Sequence, residues 1–297
     1  ALKNSYLKTL VKDYIYGDKV DPNIQVDYFN NSLEVKNNRE SIITDYKKLE
    51  NQSLEEIILS KIDNYKGKST TELANLFSIN TNSNPKHLQS LIIKSILGIK
   101  NNPEETEEFS KAGIQVKTIR LEEENVPEQH MSFPSFEFEE LVSKQWHESD
   151  LFNQLEQTKF LFVVFKNING QYILKGAKFW SMPVHVIESQ AKLVWSSTKK
   201  IIKEGVKLER VPWGGNWRIE NNLPKVSDKG SIMHVRPHTS QSSYVEGPYS
   251  SHLPVKARWK NKPEHFSDDY MTKQCFWLNN DYIIKIIKDI IIKGEEK

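Results

Sequence analysis

Cysteine is nearly absent from this 297-residue chain: Cys275 stands alone, which excludes an internal disulfide and a cysteine-rich structural zinc site and fits a reducing compartment. Long apolar runs are missing too. FLFVVF, Phe160 to Phe165, comes nearest and has only the length of a strand, so nothing spans a membrane. Neither sign of charge prevails. The 41 Lys and Arg stand against 39 Asp and Glu, a net of +2, which neither demands nor forbids a polyanionic partner. His147, His185, His234, His238, His252 and His265 are scattered, with no HxxxH or HxH spacing on a clear helix face, and no zinc site is expected. No GxSxG surrounds any serine, and VPWGGNW, a loop rich in Gly and Trp, lacks the lysine and helix start of a phosphate cradle. The opening ALKNSYLKTLVKDY is too polar to be a secretory signal and does not begin with Met; it reads as the cut end of a longer protein.

What is present is enough apolar residue, 37% of the chain, for a sizeable core. Residues 1–40 are Asn-rich and show no sustained period; they read as a connector with a docking segment. Beyond them, SIITDYKKL and SLEEIILSKI place apolar residues at helical spacing, and Ser53 with Glu56 spells a capping box. Ser69 and Glu72 in STTELANLF spell another, and Asn84-Pro85 opens a helix through KHLQSLIIKSIL that Gly98 stops. NNPEETEE reads as a polar loop and IQVKTI as an alternating strand. SFEFEELVSKQW reads as a helix, FLFVVFK and YILKGAKFW as strands joined by NINGQ, and Met182 or Pro183 to Glu204 as a long helix. Strands at SIMHVRP and CFWL and a helix over YIIKIIKDIIIK complete a mixed α/β (α+β) pattern without internal repeats. Lys199, Lys200, Lys203, Lys207 and Arg210 form a basic cluster, and VKARWKNK is basic with a tryptophan interleaved, a pattern shared by solvated faces and nucleic-acid footprints.

The stretch AGIQVKTIR, Ala112 to Arg120, has the rhythm of a nuclease metal-binding strand. A carboxylate and a lysine two apart on a strand share a face, and so reach one metal and one phosphate together. Here Lys117 is present, but its partner is Gln115, whose neutral carbonyl attracts Mg²⁺ weakly. By itself the pattern is a weak signal and reads first as an amphipathic strand with a solvent-facing lysine.

STTELANLF, LIIKSILG, EEFSKAGIQVKTI, TKFLFVVF, HVRPH and CFWLNNDY follow one another in an order and at spacings that resemble the MutH mismatch-repair endonuclease family, to which the GATC-cleaving type II restriction endonucleases of the same group belong. The resemblance runs from about Glu40 to the C-terminus. It implies a restriction-endonuclease-like, PD-(D/E)xK fold: a mixed central sheet flanked by helices, with a catalytic arm over 41–165 and a DNA-reading arm over 166–297 around a cleft. Residue by residue, it places Lys94 where the family has a helical glutamate, Glu108 at a metal-binding aspartate, Gln115 at the ExK glutamate, Lys117 at its lysine and Lys159 at a further lysine. Three carboxylates are thus reduced to one. A cation at Lys94 would repel Mg²⁺ by on the order of several kcal/mol.

The resemblance therefore implies a catalytically degenerate arm that binds no metal, with Glu108 as the residual ligand if one were held. Lys94, Lys117 and Lys159 are then expected to face phosphate directly. In the reading arm it carries a major-groove arginine onto Arg236, followed by Pro237 and His238, and an adenine-sensing aromatic onto Trp277, with Phe276 as the shifted alternative. The polar stretch Thr239 to Ser251 is either a groove-entering loop or a plain surface loop. The implied whole is the C-terminal half of a cytoplasmic, prokaryotic, GATC-specific type II restriction endonuclease. This half binds duplex GATC as an allosteric effector, itself without a cofactor, and forms a dimer on DNA. Its partner is the catalytic, Mg²⁺-dependent N-terminal half. Two alternatives stay open: a working Mg²⁺-dependent GATC endonuclease using Glu108 and Lys117, and a protein-interaction module without specific DNA binding.

Overall fold

The computed structural model describes residues 40–80 and 87–292, so the expected connector before Glu40 and the Asn84-Pro85 helix start lie outside the described residues. The strands, in chain order, are β1 (Ile114–Leu121), β2 (Met131–Phe136), β3 (Lys159–Ile168), β4 (Gln171–Trp180), β5 (Lys207–Trp213), β6 (Asn216–Asn221), β7 (Met233–Pro237), β8 (Ser250–His252), β9 (Arg258–Trp259), β10 (Tyr270–Thr272) and β11 (Gln274–Leu278). They form four small sheets among the described residues, in the orders β1-β3-β4, β2-β11-β7, β6-β5-β9 and β10-β8. The mixed α/β class is borne out, and the sheet β1-β3-β4 is itself mixed, with one parallel and one antiparallel pairing.

The chain divides into two compact units. One takes the described parts of Ala1–Asn125, Gln157–Ser181 and Asp289–Lys297; the other takes Val126–Glu156 and Met182–Lys288. The arm boundary expected at 165/166 falls instead inside β3, which pairs antiparallel with β4 along nearly its whole length. Hydrogen-bonded neighbours cannot be parted between arms, so both strands stay in the first unit.

In that unit β3 is central, parallel to β1 on one side and antiparallel to β4 on the other. Phe160 to Phe165 are all buried, which is why this strand reads as a continuous apolar run and not as an alternation. Leu161, Val163 and Phe165 pack with Ile58, Ile62, Leu73, Ile92, Leu97 and Phe109 from the helices. Both expected capping boxes form: Glu56 N–H donates to Ser53 Oγ at 3.2 Å and Ser53 N–H to Glu56 Oε2 at 2.8 Å, with Ser69 and Glu72 doing the same at 3.1 and 2.7 Å. Gly98 ends the helix Leu88–Leu97 at φ +80°, donating to Lys94 O at 3.0 Å.

Several local expectations are corrected. SFEFEELVSKQW is not one helix: β2 takes residues up to Phe136 and the helix Phe138–Ser143 follows. β2 lies at the edge of its sheet, where Pro134 removes no needed ladder donor. VPWGGNW is the turn and flanks of the β5–β6 hairpin, with Gly214 and Gly215 at φ +51° and +81°. The long helix to Glu204 has a π-helical stretch, Ile187–Ala191, before Lys192–Glu204. Helices Glu107–Ala112 and Asp150–Gln157 were not foreseen, the first starting inside the expected polar loop. No helix among the described residues is long and apolar enough to cross a membrane.

Leu161 is fully buried at the centre of the first unit. Leu161→Ala is expected to destabilise the chain by about 2 to 5 kcal/mol, read as a lowered urea midpoint without a change of slope.

Candidate nucleic-acid interface

The strand β1 alternates. Ile114 and Val116 turn toward the helices and join the core, which leaves Gln115 and Lys117 on the other face, in register with Phe160 and Phe162 of β3. Those neighbours desolvate the lysine. Burial pushes the Lys117 ammonium below its ordinary range, and nearby Glu104 opposes the shift. Glu104 itself accepts from Val116 N–H at 2.9 Å, on the open edge of β1. Lys117 makes no salt bridge among the described residues.

Glu108 is committed elsewhere. One oxygen accepts from Ser41 Oγ at 2.5 Å and from Ile43 N–H at 2.9 Å, the other from Ile42 N–H at 3.0 Å. The carboxylate clamps a chain segment whose Ile42 and Ile43 are buried. Lys61 completes the clamp, donating to Ile42 O and Leu97 O at 3.1 Å each. Lys159 forms an ion pair with Glu55, and Lys94 donates to Asn102 Oδ1 at 3.0 Å. Each of Lys94, Glu108 and Lys159 has its own protein partner.

The Mg²⁺ of the family site does not fit this donor set. Mg²⁺ wants several oxygen ligands in near-octahedral array. Here there is one carboxylate, its lone pairs facing N–H and O–H donors, one amide and three ammonium groups. No group of three or more His, Cys, Asp or Glu among the described residues could hold a metal ion.

The second unit offers a different kind of site. β7 and β11 are antiparallel, with Arg236 opposite Cys275 and His234 opposite Trp277. The exposed Arg236 lays its guanidinium over the Trp277 indole, Cζ lying 3.9 Å from the ring centroid. Trp277 is only 5% exposed, and its indole N–H donates to Arg236 O at 3.0 Å. It is a platform that orients Arg236, not a freely accessible ring. His238, exposed beyond Pro237, lies against the same indole at 4.8 Å between centroids. Phe276 points to the other side, onto Phe136 at 5.0 Å. Arg236 forms no salt bridge among the described residues.

Behind the indole are residues that sequence reasoning missed. His234 stacks on Trp277 at 6.3 Å and meets His130 edge-on at 4.8 Å. Asn279 Nδ2 donates to Ser231 O, which turns its Oδ1 toward His234 Nδ1 at 2.6 Å and assigns the proton to that nitrogen. His130 Nδ1 accepts from Asn280 N–H at 3.0 Å. Burial holds His234 down to about 4, with His130, Arg236 and Lys225 adding repulsion against the Asn279 hydrogen bond. Burial and Arg236 also lower His130, against Asp281. Both rings are neutral at neutral pH and leave the guanidinium its place. The pair Asn279-Asn280 after CFWL was the available sequence signal; nothing near His130 marked it.

The stretch from Thr239 to Ser251 is anchored in its middle. Tyr244 is buried between Trp259 and Phe266, at 5.5 and 5.1 Å, and Ser243 N–H donates to Thr272 Oγ1 at 2.9 Å. Ser240 to Ser242 and Val245 to Glu246 remain exposed.

Two outcomes follow. Glu108→Ala leaves the Ile42 and Ile43 amides without their acceptor and is expected to destabilise the chain by about 1 to 3 kcal/mol in urea titrations, while leaving DNA affinity unchanged. His234 is depressed from its ordinary value near 6.5 to about 4, so the unfolded chain binds the proton first. Stability is full above pH 6.5 and is lost as pH falls toward 4, by up to about 3 kcal/mol; in His234→Gln this part of the pH dependence of the urea midpoint should vanish.

No protein-family model matches the chain. It is similar to the type II restriction enzyme Sau3AI of Staphylococcus aureus, 37% identical over 98% of this chain. The chain spans 59% of the length of that enzyme. The similarity bears out the resemblance carried by the segments from STTELANLF to CFWLNNDY: over nearly its whole length, the chain is similar to a type II restriction enzyme.

Proposed function

We propose that this chain is the C-terminal, DNA-binding effector half of a cytoplasmic type II restriction endonuclease. It reads duplex GATC and does no chemistry itself. One observation carries the reading: Arg236 is an exposed guanidinium, oriented by the buried Trp277 and without a salt-bridge partner among the described residues. An arginine held in this way is prepared to bind guanine O6 and N7 together, the commonest specific base contact in the major groove. His238 and Pro237 flank it at the same surface.

The fate of the expected metal ligands supports the absence of chemistry. Glu108 holds backbone, Gln115 is neutral, and Lys94 sits where the family has a glutamate. In this reading the fold is restriction-endonuclease-like, Mg²⁺ belongs to the catalytic N-terminal half of the parent protein, and that half is the partner. A second copy of GATC bound here, by one chain or by a dimer on DNA, would activate the other half through a difference in binding free energy between its states.

The test is fluorescence anisotropy with a GATC duplex and a scrambled duplex, in EDTA and then in Mg²⁺ at fixed salt. Selective binding in EDTA, with no cleavage when Mg²⁺ is added, is expected. Arg236→Ala should lose about 1 to 3 kcal/mol on GATC and little on the scrambled duplex. Cleavage of GATC by the chain, abolished in Glu108→Ala, would overturn the reading.

A further inference from the structure

The β5–β6 hairpin is built for contact and is not used by the Arg236 site. Its strands pair Arg210 with Ile219, Val211 with Arg218, Pro212 with Trp217 and Trp213 with Asn216. Side chains alternate across a ribbon, so Arg210 and Trp217 share one face, and Trp213 and Arg218 the other. Each face then carries the same device: the Arg210 guanidinium lies 4.3 Å from the Trp217 ring centroid, and that of Arg218 lies 3.7 Å from the Trp213 centroid. The indoles are nonetheless 59% and 56% exposed, at Trp213 and Trp217. Residues 212–218 are exposed throughout, so the tip stands clear on both faces. The turn is tight because Gly214 and Gly215 adopt positive φ with open space where a Cβ would stand, a backbone requirement and not a packing one.

Charge identifies the partner. The helix and hairpin from Lys192 to Asn221, with the neighbouring segment from Val255 to Lys262, hold eleven Lys and Arg against three Glu. That is a surplus of eight in a chain whose net charge is only +2, so the remainder is acidic. Lys200, Lys260 and Arg218 pair with Glu204, Glu209 and Glu220, and Lys192, Lys256 and Lys262 pair with Glu188, Asp269 and Asp268 just outside these segments, while Lys199, Lys203, Lys207, Arg210 and Arg258 form no salt bridge among the described residues. β9 is hydrogen-bonded to β5, and Arg258 donates to Glu204 O, which ties the basic segments together. A polyanion fits this surface, and an acidic or apolar protein patch would leave either the indoles or the cations unmatched. A two-stranded ribbon is also of a width that the major groove admits.

We infer that the β5–β6 ribbon is a second DNA contact, which engages duplex flanking the tetranucleotide through Arg210, Trp213, Trp217 and Arg218. The inference rests on the DNA-binding reading above. Its contribution is independent of sequence: guanidinium groups meet phosphates or base edges, and indoles cover sugar and base-step surface that water otherwise wets.

The experiment measures affinities of the chain for a short duplex that barely covers GATC and for a duplex of about three helical turns, each also in scrambled form, across a salt series. Trp213→Ala/Trp217→Ala should bind the long duplex about tenfold more weakly, the equivalent of one good stacking contact, while the short duplex and the ratio of GATC to scrambled binding stay unchanged. Arg210→Gln/Arg218→Gln should lower the salt slope on the long duplex by up to about two, which a merely structural role would not do. Wild-type affinity for the long duplex in both variants overturns the inference; a change of sedimentation in that case assigns the ribbon to a protein interface. Loss of GATC preference in the wild type defeats the Arg236 reading alone, because the ribbon is scored on the scrambled long duplex as well. Absence of any duplex binding by the wild type defeats both.

Discussion

Both oxygens of Glu108 accept hydrogen bonds from the segment that carries Ile42 and Ile43 into the core, and the character of the first unit follows from that clamp. A carboxylate whose lone pairs face N–H and O–H donors already has its positive partners. A cation could take it only by leaving buried amides without an acceptor, a loss of about 1 to 3 kcal/mol for each. Gln115 is neutral, and Lys94 and Lys159 are engaged with Asn102 and Glu55.

The second unit handles charge in the opposite way. Arg236 is not neutralised by a carboxylate among the described residues; it is held by the face of an indole. An aromatic platform restricts the side chain and attracts the cation without cancelling its charge for an incoming anion or base edge. Burial supplies the rest, since it keeps His234 and His130 neutral and so removes imidazolium repulsion from beside the guanidinium. The same solution recurs twice on the β5–β6 hairpin, where Arg210 and Arg218 lie on Trp217 and Trp213. Each of these cations is oriented by an indole while its charge stays available.

Some of this was legible in the residues. Capping boxes at Ser53 and Ser69 and the stop at Gly98 are local chemistry, complete within one turn of helix, and they form as spelled. FLFVVF announces a strand covered on both faces. The resemblance to the MutH group led to Arg236 and Trp277 together, although Trp277 proves to be the support and Arg236 the surface. Other features were hidden because they depend on partners far along the chain. MSFPSF becomes a strand only because β11 offers it an edge, and VPWGGNW looked like a loop because two glycines obscured the register of its flanks.

The sequence by itself determined which segments are helix or strand wherever the signal closes over a few residues, and the near-neutral charge with its basic concentration. Tertiary structure alone decided what the surviving groups do. Glu108 became a backbone clamp because residues 41–43 return to it across 65 or more positions. Arg236 became a presented cation because β7 and β11 set it beside an indole 41 residues away. Hydrogen bonds and ring contacts of this kind act over only a few ångströms, so which residues share one is set by folding and leaves no periodic trace in the chain.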